Sequence, residues 1–257
     1  MDNYLSIAEQ HNGIFRGKDL TKVYTVDEIY NRVSSGKFDD LYLGDYFTVS
    51  ITTTLPDETV KTENVSLMFG AFNYYYNCGD TALTKPHAVL IPRNYGFATT
   101  AKMNETNTTE GGYINSYMHT TVLPCYATSL QKALSNHVLT YRDILTNKVN
   151  TTSASMAGAG STGSASGWEW TDVTLQLMNE VQVYGTTAFS SSAFDVGMAN
   201  RRLPVFKFIT PVHYGRNNFW LRSVVSSSNF ALCGSVGYTN YSGASNELCA
   251  RPLILFG

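Results

Sequence analysis

The sequence predicts an α+β fold, and three observations carry that prediction. Aromatic residues make up 13% of the chain, with 17 tyrosines, while charged residues reach only 15%, against about 25% in an average domain. Low charge with abundant Tyr, Thr, Ser and Asn suits pleated sheet and a rigid, hydroxyl-bearing surface. Runs of period-two alternation precede two stretches of helical period, after which the chain returns to short strands and turns. With 257 residues and 43% hydrophobic content, the chain can bury the core of one large domain or two small ones.

Residues 1–38 read as a leader, expected to serve as an attachment or oligomerisation segment and to contribute little to the main core of 39–257. Within it Thr25 and Glu28 form a capping-box pair, which predicts a short helix with Val26, Ile29, Tyr30 and Val33 on one face and Gly36 at its end. Strands are expected in LYLGDYFTVSI (41–51), NVSLMFGAFNYYYN (64–77) and HAVLIP (87–92), bounded by Asn, Gly, Asp and Pro. A first main helix is expected from Ile114, Tyr117, Met118 and Thr121 through Tyr126, Leu130, Ala133 and Leu134, with Pro124 in a first turn. A second is expected over Val173, Leu177, Val181 and Tyr184, ending at Gly185. Between them, 150–167 is small, polar and glycine-rich, the composition of a flexible surface loop.

Several chemistries are excluded. Formal net charge is −2, and no basic run supports nucleic-acid binding. No apolar stretch approaches the ~20 residues of a membrane helix, so no membrane insertion is expected. Met1-Asp2-Asn3-Tyr4 lacks the basic and apolar regions of a secretory signal, so synthesis in the cytoplasm without export is expected. The five histidines form neither HxxxH nor HExxH, and no metal site or cofactor is expected. There is no G-x-S-x-G elbow, and the phosphate loop GxxxxGK[ST] is absent. NCGD at 77–80 is explained by a turn, HYGRNNFW at 213–220 by packing, and the carboxylate pairs Asp39-Asp40 and Asp57-Glu58 by solvated faces. No catalytic residue is expected. Cys78, Cys125, Cys233 and Cys249 fit small buried apolar residues, with a 233–249 bridge left open.

The tail, 217–257, is different. Between Arg222 and Glu247 it holds no charge, only small polar residues interrupted by Phe230, Tyr238 and Tyr241. Trp220-Leu221-Arg222 opens this stretch, and Arg251-Pro252 with a last apolar strand closes it. An uncharged surface avoids the cost of desolvating ions on binding, and Tyr, Ser and Asn supply adaptable contacts. Trp220 is expected in the core. Arg251 is expected to hold backbone carbonyls or one carboxylate with its guanidinium fork. Strand alternation sends Ala231 and Cys233 to one face and Phe230, Leu232 and Gly234 to the other. The small pair is the more easily buried, so Phe230 and Leu232 are expected toward solvent or a partner.

The run FWLRSVVSSSNFALCGSVGYTNYSGASNELCARPLILF resembles the C-terminal module of C-type-lectin-like proteins of phages and gut bacteria, with its WLR…FA…G…AS…RP signature. That group includes the variable proteins of diversity-generating retroelements and shares the fold of formylglycine-generating enzymes. HNGIFRGKDL, FDDLYLGDYFTV, KMNETNTTEGGYINSYM and TDVTLQLMNEVQVYGTTAFSSSAFDVG are similar to structural proteins of tailed phages of gut Firmicutes. The resemblance spans about residues 11–257. It implies two helices packed on a twisted antiparallel sheet, and a virion surface protein (head fibre, capsid decoration or tail tip) that binds a host-surface protein or glycan. Other virion proteins are its implied partners, and homotrimers are common among such proteins. It also implies a scaffold of Trp220, Arg222, Arg251 and Pro252. The implied ligand face comprises Asn217, Asn218, Ser226, Ser228, Asn229, Phe230, Leu232, Ser235, Tyr238, Asn240, Tyr241 and Ser242. Two alternatives stand beside it: a purely structural virion component, and an oxidase of the formylglycine-generating type. The second lacks the RGGSW-like motif and the setting of its cysteine pair. Glu247 is the only carboxylate from 223 to 257, which argues against calcium-mediated sugar binding.

Overall fold

The computed structural model describes residues 7–154, 162–190 and 201–257. In chain order the helices are α1 (Ile7–His11), α2 (Val26–Ser34), α3 (Leu123–Ala133) and α4 (Glu180–Tyr184). The strands are β1 (Tyr46–Thr54), β2 (Val60–Phe72), β3 (Ala88–Pro92), β4 (Thr100–Ala101), β5 (Tyr141–Ala154), β6 (Thr162–Val173), β7 (Leu175–Leu177), β8 (Phe219–Val224), β9 (Asn229–Cys233), β10 (Thr239–Gly243), β11 (Leu248–Cys249) and β12 (Pro252–Phe256). The described fold is α+β and dominated by sheet. None of its helices is long and apolar enough to cross a membrane.

One five-stranded sheet has the order β1-β2-β3-β12-β7 and is antiparallel throughout. The last strand of the chain is therefore interior to a sheet. All its residues are buried, which is why PLILF reads as a continuous apolar run. Pro252 stands at its first position, where a missing N–H is tolerated. A second sheet has the order β10-β9-β8-β11-β4, and the Arg222 N–H donates to Met178 O at 2.9 Å, linking β8 to the end of β7. β5 and β6 form a separate long hairpin.

The capping box at Thr25 is present as expected: Glu28 N–H donates to Thr25 Oγ1 at 3.2 Å, and Thr25 N–H to Glu28 Oε2 at 2.7 Å. The helix it starts does not stay apart from the core. Ile29 and Val33 of α2 are fully buried, as are Leu20 and Phe38, and Tyr30 packs edge-on against Phe256 of β12. Asn12 exchanges two 2.8 Å hydrogen bonds with the backbone of Phe72, and Arg16 grips Asp45. The expectation that the leader contributes little to the core is thus corrected for residues 7–38. An amphipathic helix must bury its apolar face somewhere, and α2 does so in the main core, with Tyr30 against the end of β12.

Three further expectations need correction, in whole or in part. The region 114–134 holds a π-helical turn at Met118–Val122 before α3, with Pro124 in the first turn of α3 as expected. The region 173–184 is not one helix. It comprises the end of β6, then β7, then the five-residue α4. The spacing of Val173, Leu177, Val181 and Tyr184 fits helix, but Leu175–Leu177 is needed as the edge strand beside β12, and tertiary pairing overrides the local period. Asn179 and Gln182 form a capping box, so the helix starts late, and Gly185 at φ 88° ends it where expected. The glycine-rich 150–167 is also corrected in part. Residues 150–154 and 162–167 belong to the two strands of the hairpin, and 155–161 lie outside the described residues.

Candidate functional site

The tail builds β8, β9 and β10 as consecutive antiparallel strands, and this places the expected ligand residues in three different environments. Across the sheet Thr239 pairs with Cys233, Tyr241 with Ala231 and Ser242 with Phe230. Cys233 pairs with Phe219, Leu232 with Trp220 and Phe230 with Val224. Every residue of β9 after Asn229 is buried.

Phe230 and Leu232 are therefore core residues, which overturns the expectation that they face solvent or a partner. The alternation itself holds, but β9 is covered on both faces. On one side lies the segment 180–190. The buried Glu180 carboxylate accepts from the N–H groups of Ala188, Phe189 and Ser190 at 3.0–3.2 Å, from Ser190 Oγ at 2.7 Å and from Thr239 Oγ1 at 3.0 Å. Phe189 then meets Tyr241 edge-on at 5.2 Å. The segment 101–109 closes over the rest of the tail. Trp220 Nε1 donates to Ala101 O at 2.9 Å, Asn104 N–H to Ala244 O at 2.9 Å, and Thr109 to Ser227 O and Ser226 O.

Ser226 is also buried, a second correction. Its Oγ accepts from Ser228 N–H and Asn229 N–H at 3.3 and 3.1 Å, so it shapes the β8–β9 turn. Ser228, Asn229 and Ser242 lie at that end of the sheet, half-buried, with Ser242 Oγ accepting from Asn246. Asn217, Asn218, Ser235 and Tyr238 lie at the other end, where Ser235 N–H donates to Asn218 Oδ1 at 2.8 Å. A five-residue strand separates the two ends by about 15 Å. Asn240 and Tyr241 sit between them on the edge strand.

Of the two ends of this sheet, the β9–β10 end is the one that exposes large apolar groups among the described residues. Tyr238 is 52% exposed, Val236 65%, and Phe208 47%. Val236 and Phe208 line one depression together with Tyr184, Arg202 and Pro211. The turn is closed by Gly234 N–H to Tyr238 O and Gly237 N–H to Gly234 O, both at 2.8 Å. A Cβ on Gly234 would lie 2.7 Å from the Tyr238 ring, so glycine there lets the ring rest on the turn. Gly237 has φ 91°, a conformation glycine adopts without strain. Phe208 stacks on Phe15 at 6.0 Å, extending the apolar surface toward the exposed Ile14. Phe208 and Ile14 were not legible as site residues, because isolated apolar residues in loops carry no pattern. Val236 lies within the tail between Ser235 and Gly237, a turn signal that marks exposure but not binding.

The scaffold residues sit as the closing motif suggests. Trp220 is fully buried. Arg251 is buried and its fork donates to three backbone carbonyls: Pro92 O at 2.9 Å, Arg93 O at 3.2 Å, and Pro211 O. Desolvation pushes its pKa down to about 10. Arg222, also buried, lies 3.6 Å from the buried Asp143. Cys233 and Cys249 are free thiols on the two strands that flank Phe219. Two strand spacings, about 9.5 Å, separate such positions, beyond the reach of a disulfide. Burial pushes both thiols above their ordinary range, which lowers their nucleophilic fraction. Among the described residues no group of three His, Cys, Asp or Glu side chains could hold a metal ion. Comparisons with protein-family models, curated proteins and solved structures return no match.

Proposed function

We propose that this chain is a non-enzymatic phage virion surface protein with a C-type-lectin-like fold, binding a host-surface ligand through the β9–β10 end of its tail. The observation that carries the reading is the exposed pair Tyr238 and Val236 on a glycine-shaped turn within a stretch free of charge, with the exposed Phe208 lining the same depression as Val236. Exposed apolar groups clustered in this way mark interaction sites, and tyrosine is enriched among the residues that dominate interface energies. Ile7, Ile14 and Val23 are exposed on the N-terminal segment, an outer surface available for contacts with neighbouring virion proteins or with a second copy in a trimer.

The decisive experiment compares particles carrying wild-type protein with particles carrying Tyr238→Ala. The expected result is normal incorporation and weakened adsorption to host cells. Normal adsorption by a correctly incorporated variant would sink the host-binding reading. The burial of Phe230, Leu232 and Ser226 favours a second reading, a purely structural virion component whose turn packs on a neighbour. That reading expects Tyr238→Ala to reduce incorporation and leave adsorption per incorporated copy unchanged.

A further inference from the structure

The loop between α4 and β8 brings positive charge to the exposed β9–β10 turn. From Arg201 to Asn246 the chain holds five arginine and lysine residues and no carboxylate. Two of the five are engaged inside the fold. Arg222 is buried beside Asp143, and the Arg201 guanidinium lies over the Tyr74 ring and donates to Tyr74 O at 3.0 Å. The other three, Arg202, Lys207 and Arg216, make no ion pair among the described residues. Arg216 stands exposed two residues before Asn218, whose side chain holds Ser235 of the turn.

Arg202 and Lys207 are the charged residues of the depression that Val236 lines, a space of about 410 Å³. At about 30 Å³ per water it holds roughly 13 waters, room for an aromatic side chain with a carboxylate beside it. Arg202 Nε donates to Val183 O at 3.0 Å, which fixes the guanidinium and leaves its two terminal nitrogens with donors to spare. Lys207 is exposed. Phe208, Ile209, Pro211 and Val236 give the apolar lining.

Apart from the two cations, Thr210 and Tyr184 are the polar side chains of the lining among the described residues, and the Tyr184 hydroxyl already engages the Cys233 thiol. Glu180 also acts on Tyr184, but its carboxylate is buried and held by the 188–190 backbone and Thr239. The depression therefore presents fixed positive charge beside apolar surface, with few groups able to serve a polar ligand.

From this geometry we infer that the depression docks an acidic protein segment, taking one apolar side chain against Phe208 and Val236 while Arg202 and Lys207 hold carboxylates beside it. The inference rests on reading the β9–β10 end as the binding face, and it names the partner class as protein rather than glycan. Cations with no opposing carboxylate select an anion by charge complementarity, and the free edge of the Arg202 guanidinium matches a carboxylate. The apolar lining decides against a sugar. A bound ring would set most of its hydroxyls against Phe208, Ile209, Pro211 and Val236, and each desolvated hydroxyl without a partner weakens binding. A phenylalanine or leucine side chain loses no hydrogen bond there and gains from burial. The charge also decides against a second copy of this chain, because a two-fold contact would set Arg202, Lys207 and Arg216 against their own images.

The test titrates the full chain with the peptide acetyl-EDFDE-amide, followed by calorimetry and by the NMR amide shifts of Lys207, Phe208 and Val236. Acetyl-QNFNQ-amide removes the charges, acetyl-EDADE-amide removes the anchor, and trigalacturonate offers carboxylates on a sugar. The expected result is saturable binding of the first peptide with a Kd of about 1 mM or tighter, shifts at all three residues, and loss of affinity at high salt. Each of the three controls should bind about fivefold more weakly or less. Lys207→Glu and Val236→Ser, both at exposed positions, should each weaken binding about fivefold while leaving Tm unchanged. The inference is overturned if the acidic peptide does not saturate, if the neutral peptide binds as well, or if Lys207→Glu binds like wild type. Trigalacturonate binding as tightly as the peptide would assign the depression to an acidic glycan, and a dimer of the chain abolished by Val236→Ser would assign it to a second copy; either result overturns the inference. Its failure is separable from that of the host-binding reading. Weak adsorption of Tyr238→Ala particles without peptide binding removes only the acidic protein ligand. Peptide binding with normal adsorption of those particles removes the host-binding role and leaves an acidic virion protein as the partner.

Discussion

Arg251 and Trp220 carry the tail through different physics. The arginine is fully buried, and its guanidinium is satisfied by three carbonyls from two distant segments, so geometry rather than charge pairing holds it there. Lysine keeps the charge but not the planar fork. Arg251→Lys should lower Tm, and equal melting curves for the two proteins would remove this role. Trp220→Ala should cost about 3–5 kcal/mol, the range for large-to-small core changes, read from denaturant midpoints. His87 sets a pH dependence. Its Nε2 accepts the Tyr75 N–H at 3.1 Å while Nδ1 donates to Lys85 O at 3.0 Å, a neutral tautomer, and burial depresses its pKa to about 4. The unfolded chain, with a histidine pKa near 6.5, binds the proton more readily than the folded one. Stability is therefore full above pH ~6.5 and is lost as pH falls toward 4, by about 2 kcal/mol between pH 7 and pH 5. A urea midpoint that does not move over that interval would contradict the assignment.

At the scale of elements, the N-terminal segment and the Glu180 staple decide whether the sheets close. Deleting residues 1–38 removes Leu20, Ile29, Val33 and Phe38 from the core, and a truncated chain should show no native circular dichroism. A folded, soluble 39–257 would mean that α2 is an ornament. Glu180 joins the backbone of 188–190 to β10. Glu180→Ala strands several donors in a buried place and should destabilise by on the order of 3 kcal/mol. The capping box of α2 was readable because Thr25 and Glu28 act within one turn. The fate of 173–184 was not, since a three-residue strand is chosen by the partner strand β12 rather than by its own spacing.

Over the whole molecule, the tail divides into a supported core and one exposed turn, and the two tyrosines part company. Tyr238 rests its ring on the turn at Gly234 with about half of it exposed, whereas Tyr241 is half-buried against Phe189. Tyr238→Ala should weaken attachment by about 1–3 kcal/mol, the range for aromatic hot spots, with little change in Tm. Tyr241→Ala should instead lower Tm. Paired melting and adsorption measurements separate the two, and a large stability loss in Tyr238→Ala would show that its ring belongs to the core.

By itself the sequence determined the α+β class, the α2 cap, a closing apolar strand, the buried Trp220 and a structural fork at Arg251, whose choice of carbonyls over a carboxylate came from the tertiary structure. Each of these follows from short-range pattern or from the chemistry of one side chain. Tertiary structure alone decided which faces of β9 meet water, because burial depends on what lies across the sheet. Phe230 and Leu232 obey the alternation expected of them, yet segments 180–190 and 101–109, distant in sequence, close over the sheet. The same long-range assembly brings Tyr184, Arg202, Pro211 and Val236 around one depression. No local spacing relates those residues, since they meet only after the sheets have formed.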